Sequence, residues 1–69
     1  MTTLPLGTRI YMQDGRPGRI VDKMDWGQYA VRADDPTPDE IARDMKDLID
    51  FDKAVLVEDQ VPGPVEPTT

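Results

Sequence analysis

Two glycine turns divide the first half of the chain into short segments, and they restrict its fold more than any other feature. An Asp-Gly pair at 14–15 and an Asp-Trp-Gly triplet at 25–27 contain residues that tolerate the positive φ values of a tight reversal. The segments 8–13, 19–23 and 28–33 alternate apolar with polar residues or carry β-branched ones. The sequence therefore predicts an antiparallel meander of three strands.

The same alternation predicts which side chains face the core. In the first strand Ile10 and Met12 share one face, whereas Arg9 and Tyr11 lie on the other. A last strand is predicted at 54–58, because its apolar residues would suit a wall that is covered on both faces.

The segment after residue 36 carries the start signal of a helix. Thr37 suits the N-cap, Pro38 suits the first helical position, and Glu40 stands where a capping box needs an acid. The helix is predicted to run over about 38–50 with one apolar stripe. That stripe either completes the core or offers a groove to a partner, and it consists of Ile41, Met45, Leu48 and Ile49.

The length of the chain restricts it to one domain with a small core. The folded unit is predicted to span residues 1–59, with the helical insertion at about 38–50. Because a single small core stabilises a chain only weakly, self-association stays open, and monomer and homodimer are both compatible with the sequence. Residues 60–69 are predicted to be a disordered, proline-rich tail, since they include Pro62, Pro64 and Pro67.

Three stretches of the β-rich half follow the pattern of a known class of small barrels. At 7–10, 14–21 and 29–32 a short strand leads through a glycine turn into a Gly-x-hydrophobic-hydrophobic strand. This pattern resembles the SH3-like barrels of the KOW and Tudor type over residues 6–33 and again at 54–58. The resemblance implies a small antiparallel β-barrel of four to five strands, to which this chain adds an amphipathic helix before the last strand. It also implies binding of RNA, DNA or protein, and a place among phage or plasmid accessory proteins.

The chain lacks four residue types on which much enzyme chemistry depends. It has no Cys, His, Ser or Asn, so the usual nucleophiles, the neutral-pH proton shuttle and the soft metal ligands are missing. Its carboxylate pairs at 34–35 and 50–52 lack the Asp-x-Asp-x-Asp-Gly loop of calcium sites. We therefore expect no catalysis, no cofactor and no bound metal.

Hydrophobic runs and the N-terminal residues predict a cytoplasmic protein without membrane contact. The start Met-Thr-Thr-Leu-Pro has neither a basic n-region nor an apolar h-region. The longest uninterrupted apolar run, 54–57, is far too short to cross a bilayer.

Charge is divided unevenly along the chain. Residues 1–33 carry five bases and three acids, a net of +2, whereas residues 34–69 carry three bases and eleven acids, a net of −8. This asymmetry indicates a partner surface rather than a reaction. On the predicted long helix Glu40, Asp44 and Asp47 lie close to one face, where they would either meet a basic surface of a partner protein or stay solvated.

A non-catalytic protein-binding or modulator module is the first functional hypothesis. Its candidate contact residues are Trp26 and Tyr11 on the barrel, together with Glu40, Asp44 and Asp47 on the helix. Trp26 is either an interface anchor or part of the small core, because large aromatics at turns occur in both settings.

Nucleic-acid binding is the alternative hypothesis. Arg16, Arg19 and Arg32 could attract phosphates beside the aromatic side chains, which would provide a stacking platform. They could equally be solvated strand positions paired with nearby acids. The net charge of −6 argues against this alternative, because phosphate repels such a molecule at long range.

Overall fold

Four antiparallel strands form the framework of the molecule. The computed structural model describes residues 3–58 and Gln60. Its strands lie in chain order in one sheet, which curls into a half-barrel. The prediction of a mainly β fold is confirmed. The strands are β1 (Arg9–Tyr11), β2 (Pro17–Lys23), β3 (Gln28–Ala33) and β4 (Asp47–Asp50).

The predicted meander of β1, β2 and β3 is confirmed, although β1 is shorter than the predicted 8–13 and β2 is longer than the predicted 19–23. Gly15 and Gly27 take φ values of 92° and 96° in the two turns, as the turn residues predicted. β2 begins at Pro17 rather than at residue 19. Gly18 lies in this strand, where it pairs with Ala33. A Cβ at this position would come within 2.6 Å of the Arg32 carbonyl oxygen, so glycine lets β2 and β3 approach each other.

The core lies on the concave face of the sheet. Ile10, Ile20 and Val31 are fully buried there, one from each strand of the meander. Tyr29 is also buried, with its ring centroid 4.5 Å from that of Phe51, and its hydroxyl accepts a hydrogen bond from the Leu4 N–H at 2.8 Å. The buried polar end of Tyr29 is thereby satisfied.

The predicted helix begins as expected but is much shorter. Helix α1 (Pro38–Ala42) carries the complete capping box: Thr37 Oγ1 accepts from the Glu40 N–H at 3.2 Å, and Glu40 Oε1 accepts from the Thr37 N–H at 2.9 Å. The extension to residue 50 is wrong. The chain leaves the helix through Asp44, whose φ of 53° is left-handed, and then forms β4.

The predicted apolar stripe does not exist as one face. Pairing of Ile49 with Tyr29 in the sheet buries Ile49, so tertiary pairing overrides the local helical periodicity. Ile41 is instead 65% exposed, and Met45 and Leu48 are exposed too.

The predicted last strand at 54–58 is also wrong as a regular strand. The segment forms one isolated bridge, between Leu56 and Ile10, and two backbone hydrogen bonds with β1. The Gln60 side chain continues this contact, because its Oε1 accepts from the Arg9 N–H at 2.9 Å and its Nε2 donates to the Arg9 carbonyl at 2.8 Å. A 3₁₀ turn (Phe51–Lys53) links this segment to β4. The rest of the predicted tail, 61–69, lies outside the described residues.

Candidate functional site

Two concavities lie side by side on the half-barrel and share Met12 and Gln13. The first, which we call the helix pocket, has a volume of about 290 Å³ and lies between the β1–β2 hairpin and α1. Its lining combines apolar and charged side chains. It is lined by Met12, Gln13, Asp14, Arg16, Arg32, Ala33, Pro36, Glu40, Ile41, Met45, Lys46 and Asp47.

The second concavity, which we call the edge cleft, follows the outer edge of β4. Its volume is about 370 Å³. The exposed apolar side chains at its rim come from β1, β4 and the segment after the 3₁₀ turn. It is lined by Tyr11, Met12, Gln13, Gln28, Leu48, Ile49, Asp50, Lys53 and Val55.

Glu40 ties α1 to the β1–β2 hairpin at the rim of the helix pocket. Arg16 donates through Nη1 and Nη2 to its two carboxylate oxygens, at 3.1 and 2.6 Å. These bonds, followed by the one from the Thr37 N–H, lower the pKa of Glu40 to about 2. Arg16 also donates to Asp14 at 2.7 Å, and the two carboxylates together raise the pKa of the guanidinium.

Asp44 neutralises a second part of the same rim. It forms an ion pair with Arg32 and accepts from Lys46 Nζ at 3.3 Å. The Lys46 hydrogen bond first, and then the charge of Arg32, lower the pKa of the Asp44 carboxyl. The carboxylate of Asp44 thus lies against one base from β3 and one from the loop before β4.

The sheet register places three arginines in neighbouring positions on three strands. Arg9 pairs with Arg19, and Arg19 pairs with Arg32. Such a row would be repulsive without counter-charges. Asp34 supplies one, since it accepts from Arg9 Nε at 2.8 Å and lies 3.6 Å from Arg19 Nε.

The basic side of this charge asymmetry is thus largely paired within the fold, whereas the second half keeps an excess of acids. Among the described residues, seven of the eight basic side chains form ion pairs with carboxylates: Arg9, Arg16, Arg19, Arg32, Arg43, Lys46 and Lys53. The predicted acidic row on one helix face is wrong. Glu40 lies on α1, Asp44 lies in the following turn, and Asp47 lies on β4, where it binds Gln13 instead.

The structure places the remaining candidate residues near the edge cleft. Tyr11 lies at its rim, and Trp26 is 69% exposed, so the alternative that Trp26 belongs to the core is wrong. The Trp26 indole N–H donates to Gln28 Oε1 at 2.8 Å, and Gln28 Nε2 donates to Asp50 Oδ1 at 2.9 Å. Trp26 is therefore exposed, held in orientation and linked to the edge cleft through Gln28.

Sequence reasoning missed three residues of this surface: Gln28, Leu48 and Val55. The sequence places Leu48 on a helical stripe, as part of either the core or a partner groove, and Val55 on a regular strand, so it predicts neither residue at the rim of this cleft. No local signal at 47–50 predicts Leu48 at a strand edge, because Asp-Leu-Ile-Asp does not alternate polar with apolar residues. Gln28 carries no distinguishing signal in the sequence.

The described part of the chain offers no group of three or more acidic, His or Cys side chains that could hold a metal ion. No helix in residues 3–58 is long and apolar enough to cross a membrane. Comparison with protein-family models, with curated proteins and with solved structures gave no match.

Proposed function

We propose that this protein is a non-catalytic protein-binding or modulator module that acts through the open side of its half-barrel. The observation that carries the proposal is Trp26, the single tryptophan, which is 69% exposed while its indole N–H is already held by Gln28. A large aromatic that is exposed and fixed in orientation loses little entropy on binding and suits an interface anchor.

The apolar rim of the edge cleft supports the same proposal. Tyr11, Leu48 and Val55 are exposed around one concavity, in addition to Trp26 beside it. Contiguous exposed apolar side chains on a small domain are typical of interaction sites.

We also propose that the half-barrel belongs to the SH3-like class. The order of elements supports this, because β4 leads through the 3₁₀ turn to a segment that bridges to Ile10 beside β1. The role of an accessory or modulator protein is part of the same proposal, since it comes from the resemblance of the sequence to that class.

Nucleic-acid binding ranks second among the functions. Its candidate contacts each form an ion pair with a carboxylate of the same chain; they are Arg16, Arg19 and Arg32. A phosphate would have to displace these partners, and the net charge of −6 opposes its approach.

Affinity capture from an extract of the source cell tests the protein-binding proposal. Wild-type chain, Trp26→Ala and Leu6→Ala are immobilised in parallel, after circular dichroism shows that each is folded. Leu6 is a matched control because it is 60% exposed and lines neither concavity.

We expect a protein that wild type and Leu6→Ala capture and that Trp26→Ala loses, quantified by mass spectrometry. Capture of nucleic acid instead, abolished by Arg16→Ala with Arg19→Ala, would reverse the ranking of the two functions. A captured protein that all three chains retain equally would remove Trp26 from the site.

A further inference from the structure

The outer edge of β4 presents backbone hydrogen-bonding groups. β4 is the last strand of the sheet, and within residues 3–58 and 60 no further strand pairs with it. The Gly27 carbonyl accepts from the Phe51 N–H at 3.0 Å, which marks this as a hydrogen-bonded position of the β3–β4 ladder. Because such positions alternate in an antiparallel ladder, Leu48 and Asp50 direct their N–H and C=O groups away from β3.

Gln13 gives independent support for this orientation. Its Nε2 donates to the Leu48 carbonyl at 2.9 Å from outside the sheet. A side-chain amide therefore already bonds to β4 where the N–H of an added strand would bond. The edge accepts hydrogen bonds from outside the sheet, and an incoming strand would replace this one.

The edge cleft provides the side-chain pockets that strand addition needs. An added strand directs alternate side chains to opposite faces, and backbone pairing supplies affinity while pockets supply specificity. Tyr11, Leu48 and Val55 surround the cleft with exposed apolar surface. Alternate apolar residues of an extended segment would fit against them.

Charge decides what kind of strand this edge accepts. Residues 47–53 carry Asp47, Asp50 and Asp52 against Lys53, a net of −2. A second copy of β4 would bring like charges together across the new ladder, which is unfavourable. The sequence 61–69 also fits poorly, because Pro62, Pro64 and Pro67 lack the N–H that a ladder requires and Glu66 adds negative charge. A segment bearing lysine or arginine is complementary.

We propose that the outer edge of β4 binds an extended, lysine- or arginine-bearing segment of a partner protein, which adds to the sheet as a further strand. This inference rests on the proposed protein-binding function and names the chemistry of the partner segment.

A synthetic hexapeptide that alternates lysine with valine is the probe, titrated into the full chain by NMR. We expect the amide signals of Leu48 and Asp50 to shift and their hydrogen exchange to slow. Two N-methylated versions, modified at every lysine or at every valine, test strand addition directly. Only one set of amides can face β4, so one version should lose roughly tenfold or more in affinity while the other keeps it. Equal behaviour of the two versions, or absence of binding, would overturn the proposal.

Charge variants test the choice of partner. Asp52→Lys should weaken peptide binding several-fold, most clearly at low salt, whereas Asp35→Lys should leave it unchanged. Asp35 is the matched control because it is exposed and lines neither concavity. Equal effects of the two variants would mean that net charge alone attracts the peptide, and would overturn the assignment to this edge.

Hydrogen exchange of the peptide-free chain tests whether a second copy or another part of this chain occupies the edge of β4 instead. We expect fast exchange at Leu48 and Asp50. Slow exchange that disappears on dilution would assign the edge to a second copy, and slow exchange that persists would assign it to another part of this chain; either overturns the proposal. If the extract capture finds a Trp26-dependent partner but no peptide binds at β4, strand addition fails while the protein-binding function stands.

Discussion

The segment that connects β3 to β4 differs from the edge cleft in how its groups are paired. The connection has carboxylates with partners in the same chain, whereas the cleft has exposed groups. The connection contributes Asp34, Glu40 and Asp44, each of which pairs with an arginine of the β1–β3 meander. The edge cleft instead leaves apolar side chains exposed at its rim and backbone groups of β4 directed outward.

This difference separates the groups that hold the fold together from the groups that stay exposed. Three acids of the second half, Asp34, Glu40 and Asp44, pair with arginines of the first half, so these arginines have their counter-charges within the molecule. The groups that stay available are an oriented tryptophan, apolar rim side chains and a strand edge. The basic half of such a sequence is therefore a weak guide to a binding surface when acids of the other half fold against it.

The largest effect should separate two adjacent residues of β4. Ile49 is 7% exposed and packs in the core, whereas Leu48 is 39% exposed at the edge cleft. Ile49→Ala should therefore cost about 2–5 kcal/mol of unfolding free energy. Leu48→Ala should cost less than about 1 kcal/mol. Denaturant midpoints measure both, and equal losses would mean that 47–50 is not a strand with one buried face.

The capping box should have the next largest effect. Thr37→Ala removes the hydroxyl that accepts from the Glu40 N–H, and should cost about 1 kcal/mol. Thr37→Ser keeps a hydroxyl and is the control. An unchanged urea midpoint with an unchanged slope for Thr37→Ala would contradict the cap.

Acid should weaken the tie between α1 and the β1–β2 hairpin. The pKa of Glu40 is about 2 in the folded chain, against an ordinary value of about 4.3. The unfolded chain therefore binds the proton first, so the stability due to this carboxylate is complete above about pH 4.3 and is lost as pH falls toward about 2. Glu40→Gln should show a shallower fall of the urea midpoint over this range. Asp35→Asn removes one charge elsewhere and should keep the wild-type fall.

The smallest effect should concern the affinity for nucleic acid of the row formed by Arg9, Arg19 and Arg32. Because Asp34 and Asp44 neutralise part of its charge and the net charge of the chain is −6, wild type should bind a labelled mixed-sequence oligonucleotide no tighter than about 10⁻⁴ M at physiological salt. Asp34→Asn with Asp44→Asn should strengthen binding modestly and increase its salt dependence, measured by fluorescence anisotropy. Micromolar binding by wild type would contradict the neutralisation.

The sequence predicts the elements that depend on residues close together in the chain. The glycine turns fixed the meander, and the box of Thr37 and Glu40 fixed where α1 begins. The end of α1 could not be predicted in the same way, because the pairing of Ile49 with Tyr29 depends on residues far apart in the chain. Residues 47–50, which the sequence predicts to be helical, therefore form the edge strand β4 through their pairing with β3.

The candidate site was predictable only in part. Trp26 and Tyr11 were identified as contact residues from their type and position, and the structure places both on exposed surface. The prediction groups Glu40, Asp44 and Asp47 by helical spacing, but α1 ends at Ala42, so this spacing does not apply to Asp44 and Asp47. The edge cleft itself is formed by β1, β4 and the segment after the 3₁₀ turn, so no single stretch of sequence contains its signal.

Fluorescence of Trp26 tests the central claim most directly, because it is the single tryptophan of the chain. In the free protein we predict emission close to that of tryptophan in water, with acrylamide quenching nearly as strong as for a free indole. Addition of the partner isolated by capture should shift the emission to the blue and reduce the quenching. A blue-shifted, poorly quenched tryptophan in the free chain, or a spectrum that the bound partner leaves unchanged, would contradict the claim that this protein binds through the open side of its half-barrel.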